Sequence, residues 1–206
     1  MKKVIILFAA LLLSACFGGA KNSVPLAIYD FGLPPAPLAG AAAWSKIALE
    51  IKAPVWFDSV TIPYRLAYED PLRLREYAGS RWAGAPSQLL GQRLRQQLGV
   101  VSATGNSAVD CLLRLDLQAF SQVFDAPAQS RGVVHGSVSV LDARRRIIAT
   151  QPVAVEQAAG SSDARGGVLA LVAASDELGR QLARWLEGLD RQGRLGSCRA
   201  SITAVE

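Results

Sequence analysis

The chain has few of the side chains on which most enzyme chemistry rests. It holds one histidine, His135, and three cysteines in 206 residues. His135 has no His-x-x-x-His or Glu-x-x-His companion, so a two-histidine metal site on one helix is excluded. There is no Gly-x-Ser-x-Gly elbow for a hydrolase nucleophile and no Walker pattern for a nucleotide phosphate. A glycosidase needs two carboxylates set across a cleft. Asp110, Asp116 and Asp125 are available, but nothing in their spacing selects a pair. Arg165-Gly166-Gly167 ahead of a helix lacks the phosphate-loop spacing and reads as loop. No long run of one charge sign occurs, which argues against a nucleic-acid partner. The sequence therefore reads as a protein that is not an enzyme.

A membrane-spanning stretch is also missing. The longest apolar run, residues 4–13, falls well short of the roughly 20 residues needed to cross a bilayer core. Lys2 and Lys3 precede it and small residues follow, the three parts of a secretory signal. The run closes on Leu13-Ser14-Ala15-Cys16, which resembles the bacterial lipobox. That resemblance implies a signal peptide over 1–15 and a mature chain beginning at Cys16. Its thiol would carry diacylglycerol and its amine an acyl chain, with no other cofactor. Each buried methylene contributes about 0.8 kcal/mol, so two or three chains make a lasting anchor. Phe17, not Asp, follows the cysteine. By resemblance to sorting in enteric bacteria, this places the lipid anchor in the outer membrane, with the body facing the periplasm.

Residues 16–27 read as a tether. About twelve residues span roughly 20 Å as a flexible coil and about 40 Å when stretched. Residues 28–206 then form one domain. Losing Lys2 and Lys3 lowers the net charge from +5 to +3, mildly basic. Cys111 and Cys198 remain once Cys16 is assigned to lipid. An even pair in an oxidising compartment suggests a disulfide. The alternative is a buried Cys111 and a free thiol at Cys198.

Alternation of apolar and polar residues marks strands at 28–31, 46–52, 60–68 and 72–76. In the last, Leu72 and Leu74 are expected inward, and Pro63 demotes the third to an edge. Pro86 opens a helix whose apolar face is Leu89, Leu90, Leu94 and Leu98, with Gly99 as its C-cap. Strands at 110–120, 132–141 and 147–156 follow, the first two separated by a polar loop over 121–131. Cys111, Leu113, Leu115, Leu117 and Ala119 are expected on one face of the first, and His135 on the solvent side of the second. Asp142-Ala143-Arg144-Arg145 is a tight hairpin, and Arg144, Arg145 and Arg146 at its tip read as solvated and protective against edge pairing, with contact to lipid headgroups or an acidic partner as the alternative. A long helix over 166–188 carries the stripe Leu171, Leu178, Leu182, Trp185 and Leu189. Residues 201–205 are a candidate last strand. The fold class is α+β: an antiparallel meander with two helices on one face, in the order β-β-β-β-α-β-β-β-α.

Tyr64-Arg65 at a strand, then Tyr77, Arg81-Trp82 and a Pro86-started helix, resembles the ABC-type transport auxiliary lipoproteins, the PqiC-like family. The lipobox, the Tyr29-Asp30-Phe31-Gly32 opening and the long C-terminal helix fit the same resemblance. It implies a non-enzymatic outer-membrane subunit of an MCE/ABC-type system that moves lipid between the two membranes. The implied partners are an MCE-domain protein and inner-membrane transport components, and a homo-oligomeric ring is a further implication. Tyr64, Arg65, Tyr77, Arg81 and Trp82 are the signature or partner-binding residues. Trp82 is expected to pin the start of the helix to the sheet. A different envelope lipoprotein with a similar body, such as an activator of a peptidoglycan synthase, is the competing expectation.

Overall fold

The structure is a computed structural model that describes residues 25–104 and 109–198. The signal peptide, Cys16, most of the tether and residues 201–205 lie outside these residues. The strands are β1 (Ala27–Tyr29), β2 (Ile47–Lys52), β3 (Thr61–Leu66), β4 (Leu74–Trp82), β5 (Val101–Ser102), β6 (Cys111–Ala126), β7 (Gln129–Leu141) and β8 (Ile147–Ala158). The helices are α1 (Pro86–Leu98) and α2 (Ala164–Arg191). The α+β class holds, and the element order differs from expectation only by the two-residue β5.

The sheet itself is mixed, not an antiparallel meander. β6 is its spine, 16 residues long. One edge of β6 carries β7 antiparallel, and β8 follows β7 antiparallel. The other edge is divided. β2 lies parallel to it from Ile47↔Cys111 to Lys52↔Asp116, and β3 lies parallel from Tyr64↔Gln122 to Leu66↔Phe124. β1–β4 and β2–β5 are parallel too. Parallel pairs join strands remote in sequence, and period-two patterning carries no information about them.

A bulge in β6 sets which residues face the helices. The register against β7 slips between Leu117 and Ala119, leaving Gln118 extra. Before it, the odd residues Leu113, Leu115 and Leu117 enter the core. After it, Phe120 (1% exposed) and Gln122 (0%) do. Ala119 therefore leaves the face expected for it. The segment 121–131 is not a loop: β6 and β7 run through it to a tight turn at Pro127-Ala128. Its polar residues are tolerated because they bond each other, with the buried Gln122 Nε2 donating to Ser130 Oγ at 2.8 Å.

Two further expectations are corrected around β3 and β4. Leu72 and Leu74 are 88% and 45% exposed, not inward. Arg75 is half-buried and paired with Glu69 at 2.6 Å, while Tyr77 packs against the core. β3 is also interior, pairing with β4 and β6. Pro63 survives there because β6 pairing starts only at Tyr64, and the β4 register shifts between Thr61 and Pro63. The missing N–H falls where no ladder bond is needed.

Both helices pack on the core face. Leu90, Leu94 and Leu98 of α1, and Leu171, Leu178, Leu182 and Leu186 of α2, are at most 1% exposed. Leu186, with Trp185 only partly buried, takes the core position. Pro86 starts α1 at its first turn, and Gly99 caps it at φ 67°, its N–H donating to Arg95 O. The αL conformation suits glycine. Asp163 caps α2, accepting from the Gly166 N–H at 2.7 Å. That bond, first, and the Ser161 hydroxyl hold its carboxyl below the usual range.

α2 comes so close to β7 that a Cβ at Gly132 would lie 2.7 Å from the backbone of Ala170 and Leu171. Gly132→Ala is expected to cost about 1–3 kcal/mol by overpacking. Urea unfolding checks this, and an unchanged midpoint would mean that α2 can lift.

Among the described residues, no helix covers the opposite sheet face. It carries a charge ladder instead: Arg114–Glu50 at 2.8 Å, Arg131–Glu156 at 3.0 Å and His135 Nε2 3.3 Å from Glu156. His135 is thus on the solvent side, as expected. Antiparallel β6–β8 with one wet face follows the usual division of such sheets. At the β7–β8 turn, Arg146 folds back onto Asp142 at 2.7 Å.

Candidate functional site

Where β2 leaves β6 and β3 has not yet joined, the sheet has a notch. β2 pairing ends at Asp116 and β3 pairing begins at Gln122, so residues 117–121 have no ladder partner on that edge. The β6 bulge lies within this interval. The connection from β2 to β3 crosses there as a 3-10 turn, Val55–Asp58.

A cleft of about 170 Å³ occupies the notch. The buried rings of Phe57 and Phe120 line it, together with Pro63 and Pro86. Trp56 and Leu74 stand at its rim, 68% and 45% exposed. Val55 and Val60, 80% and 37% exposed, extend the apolar surface along the crossing connection. Polar side chains share the lining: Ser59, Thr61, Arg65, Glu76, Gln118 and Ser121. Thr61 Oγ1 donates to Glu76 Oε1 at 2.9 Å. Arg65 lends its Nη1 to the carbonyls of Pro71 and Leu72 at 3.3 and 3.1 Å. That brace holds the β3–β4 turn and keeps the Arg65 side chain along the cleft. A cleft that sets aromatic and proline surfaces beside fixed polar groups is a binding geometry.

The five signature residues separate into two sets. Tyr64 and Tyr77 pack 4.6 Å apart between ring centroids, and Tyr64 meets Phe124 edge-on at 5.9 Å. Tyr77 donates to Gln122 Oε1 at 2.8 Å. Burial, with Tyr64 and Asp163 adding to it, pushes the Tyr77 hydroxyl above its ordinary range. It therefore stays protonated and remains a donor. Trp82 is 1% exposed, with Phe31 at 5.5 Å and Phe120 at 5.9 Å. These three rings build the interior. Arg65 and Arg81 face outward, Arg65 in the cleft and Arg81 beside Ile28 at the β1 edge.

Cys111 and Cys198 are joined, their Cα atoms 5.3 Å apart. Cys16 lies outside the described residues. Among the described residues no three His, Cys, Asp or Glu side chains gather as a metal site, and no helix is long and apolar enough to cross a membrane.

Sequence reading missed Trp56 and Phe57. Their signal was present: adjacent aromatics in a connection right after Pro54, where no periodic element needs them for a core.

No family model matches this sequence, and no curated protein matches it. Solved structures do. The crystal structure of a Xanthomonas campestris protein of family DUF330 matches at TM-score 0.65 and 18% identity, over 81% of this chain and 98% of that one. A second, of an uncharacterized protein, matches at TM-score 0.61 and 15% identity, over 79% and 99%. At these identities the likeness is one of fold.

Proposed function

We propose that this chain is a non-enzymatic, lipid-anchored subunit of an MCE/ABC-type envelope transport system, held in the outer membrane and working by docking a periplasmic partner. The observation that carries the reading is the overall fold, which matches that of a DUF330 protein at TM-score 0.65 over 81% of the chain. DUF330 is the family of the PqiC-like lipoproteins, to which the Tyr64-Arg65, Tyr77 and Arg81-Trp82 pattern points independently. The lipobox ending at Cys16 supports the same assignment.

The notch is the docking surface in this proposal. An unpaired stretch of β6 beside exposed Trp56 and Leu74 suits an extended polypeptide segment. Such a segment adds backbone bonds at an open edge and seats alternate side chains in the cleft. Trp56 and Arg65 are of the residue types that most often carry interface energy once a partner covers them.

The test is purification of the full-length lipoprotein from native membranes, with partners identified by mass spectrometry. An MCE-domain protein is expected. The double change Trp56→Ala/Leu74→Asp is expected to lower its recovery about tenfold, the effect of losing roughly 1.4 kcal/mol. Recovering no MCE protein refutes the proposal, and recovering a cell-wall synthase in its place favours the peptidoglycan regulator.

A further inference from the structure

We infer that the apolar rim around the β1 edge is the surface on which this body rests against the phospholipid bilayer. The inference rests on the lipid anchor proposed at Cys16.

Exposed large apolar side chains gather in two places besides the turns. One is the notch. The other is Leu26, Ile28 and Leu169, which are 42%, 58% and 59% exposed, with Leu33 at 89% just beyond β1. Ile28 and Leu169 line one shallow depression with Val168, Val172 and Arg165. The β1 edge and the first turns of α2 meet there. Among the described residues β1 ends the sheet, pairing with β4 alone.

The point at which the chain enters the body selects the occupant. The described residues begin at Pro25, one position before this rim. Only eight residues lie between Cys16 and Pro25. As a flexible coil they span about 17 Å, and fully drawn out about 30 Å. A leash of that length, attached at the rim itself, brings the rim within about 30 Å of the membrane that holds Cys16.

Charge is compatible. Arg165 lies in the depression, and Arg81 is the register partner of Ile28. Two carboxylates lie beside them, Asp30 in the lining of the depression and Asp163 at the start of α2, so the rim is close to neutral and its guanidinium groups are the groups suited to phosphate. Asp30 accepts from the Gly32 N–H at 2.8 Å, and Asp163 from the Gly166 N–H and the Ser161 hydroxyl. Apolar side chains that reach the acyl boundary, with guanidinium groups at phosphate level, are the composition of an interfacial surface. Membrane contact by this rim leaves the notch, in a different part of the sheet, for the protein partner.

The test uses the full-length lipoprotein, its lipid at Cys16 verified by mass. It is reconstituted into phosphatidylethanolamine–phosphatidylglycerol vesicles that contain a photoactivatable phospholipid. Crosslinked lipid is expected in peptides covering 26–33 and 165–172. The double variant Ile28→Asp/Leu169→Asp is expected to reduce that labelling at least fivefold, with the Cys16 lipid and the thermal transition unchanged. Labelling confined to the tether, labelling equally strong over 55–76, or a double variant labelled like the parent would each overturn the inference. Loss of a co-purified protein from this variant with lipid labelling intact would also overturn it, because the rim would then belong to that protein. A chain with no lipid on Cys16 would overturn both the anchor and this inference, which separates that failure from a failure of the rim alone.

Discussion

Arg93→Ala is expected to lower the free energy of unfolding by about 2–3 kcal/mol, less than the cost of stranding a fully buried charge because Asp176 keeps 25% of its side chain exposed. Arg93 is 9% exposed. Its Nε and Nη2 donate to the two Asp176 oxygens at 2.7 and 2.8 Å, a bidentate pair joining α1 to α2. Its Nη1 donates to the carbonyls of Phe31 and Leu33 at 2.6 and 3.1 Å. Gln97, one turn on, donates to Asp176 as well, at 2.8 Å. One guanidinium thus fixes two helices and the turn after β1. Lysine is a point charge without the planar fork, so Arg93→Lys is expected to recover little of the loss. Arg93→Met/Asp176→Leu, which leaves no unpaired charge, is expected to recover a large part.

The same residue reaches the candidate site through packing. Phe31, held by its carbonyl, stacks on Phe120 at 6.0 Å, and Phe120 lines the notch. Arg93→Ala should therefore also weaken partner recovery under conditions where the protein is still folded. Urea unfolding followed by tryptophan fluorescence measures the first effect. A loss below about 1 kcal/mol, the range of exposed pairs, would show that the clamp is solvated and not structural.

Arg93 also illustrates what the sequence could and could not reveal. Strand and helix existence was legible wherever one face is dry and the other wet. The alternation at 46–52, 132–141 and 147–156 and the leucine stripes of α1 and α2 come from that asymmetry. Arg93 sits on the polar side of the α1 pattern, and only the approach of α2 buries it. The polar run at 121–131 looked like a loop for the same reason. Gln122 and Ser130 are buried only because Tyr77, far away in sequence, completes their bonding.

Phase and partnership were the illegible parts. The inward set of β6 switches at Gln118, a bulge fixed by how β7 registers rather than by any local residue preference. The divided edge of β6 depends on where two distant strands land, so the notch, which exists only between them, could not be read from alternation. Of the candidate site, the sequence supplied Arg65 and the aromatic neighbourhood. Trp56 and Phe57 were in view, but without a strand pattern nothing said that their connection crosses a gap.

Removing the bridge is the second change expected to cost a few kcal/mol. Cys111 opens β6, and Cys198 lies in the 3-10 turn Gly196–Cys198 after α2. The bond spans a sequence separation of 87 and so encloses β6, β7, β8 and α2. Loop-closure entropy for so long a loop gives up to about 4.6 kcal/mol in the chain-entropy model. Both cysteines are buried, at 2% and 0% exposed, so Cys111→Ala/Cys198→Ala is the cleaner variant because serine would bury two hydroxyls. The double variant is expected to lose about 3–4.6 kcal/mol, with the upper end set by that model. Reductant should bring the parent protein toward the same midpoint and leave the variant unmoved. Part of the loss should be local. The tail after α2 is also held by Leu195, which is fully buried, and by Arg194, which donates to the Ile148 carbonyl of β8. Backbone amides of the tail should thus exchange faster on reduction while those of β6 and β7 keep near-global protection. A parent midpoint that reductant does not move would mean that the tail is held by packing alone.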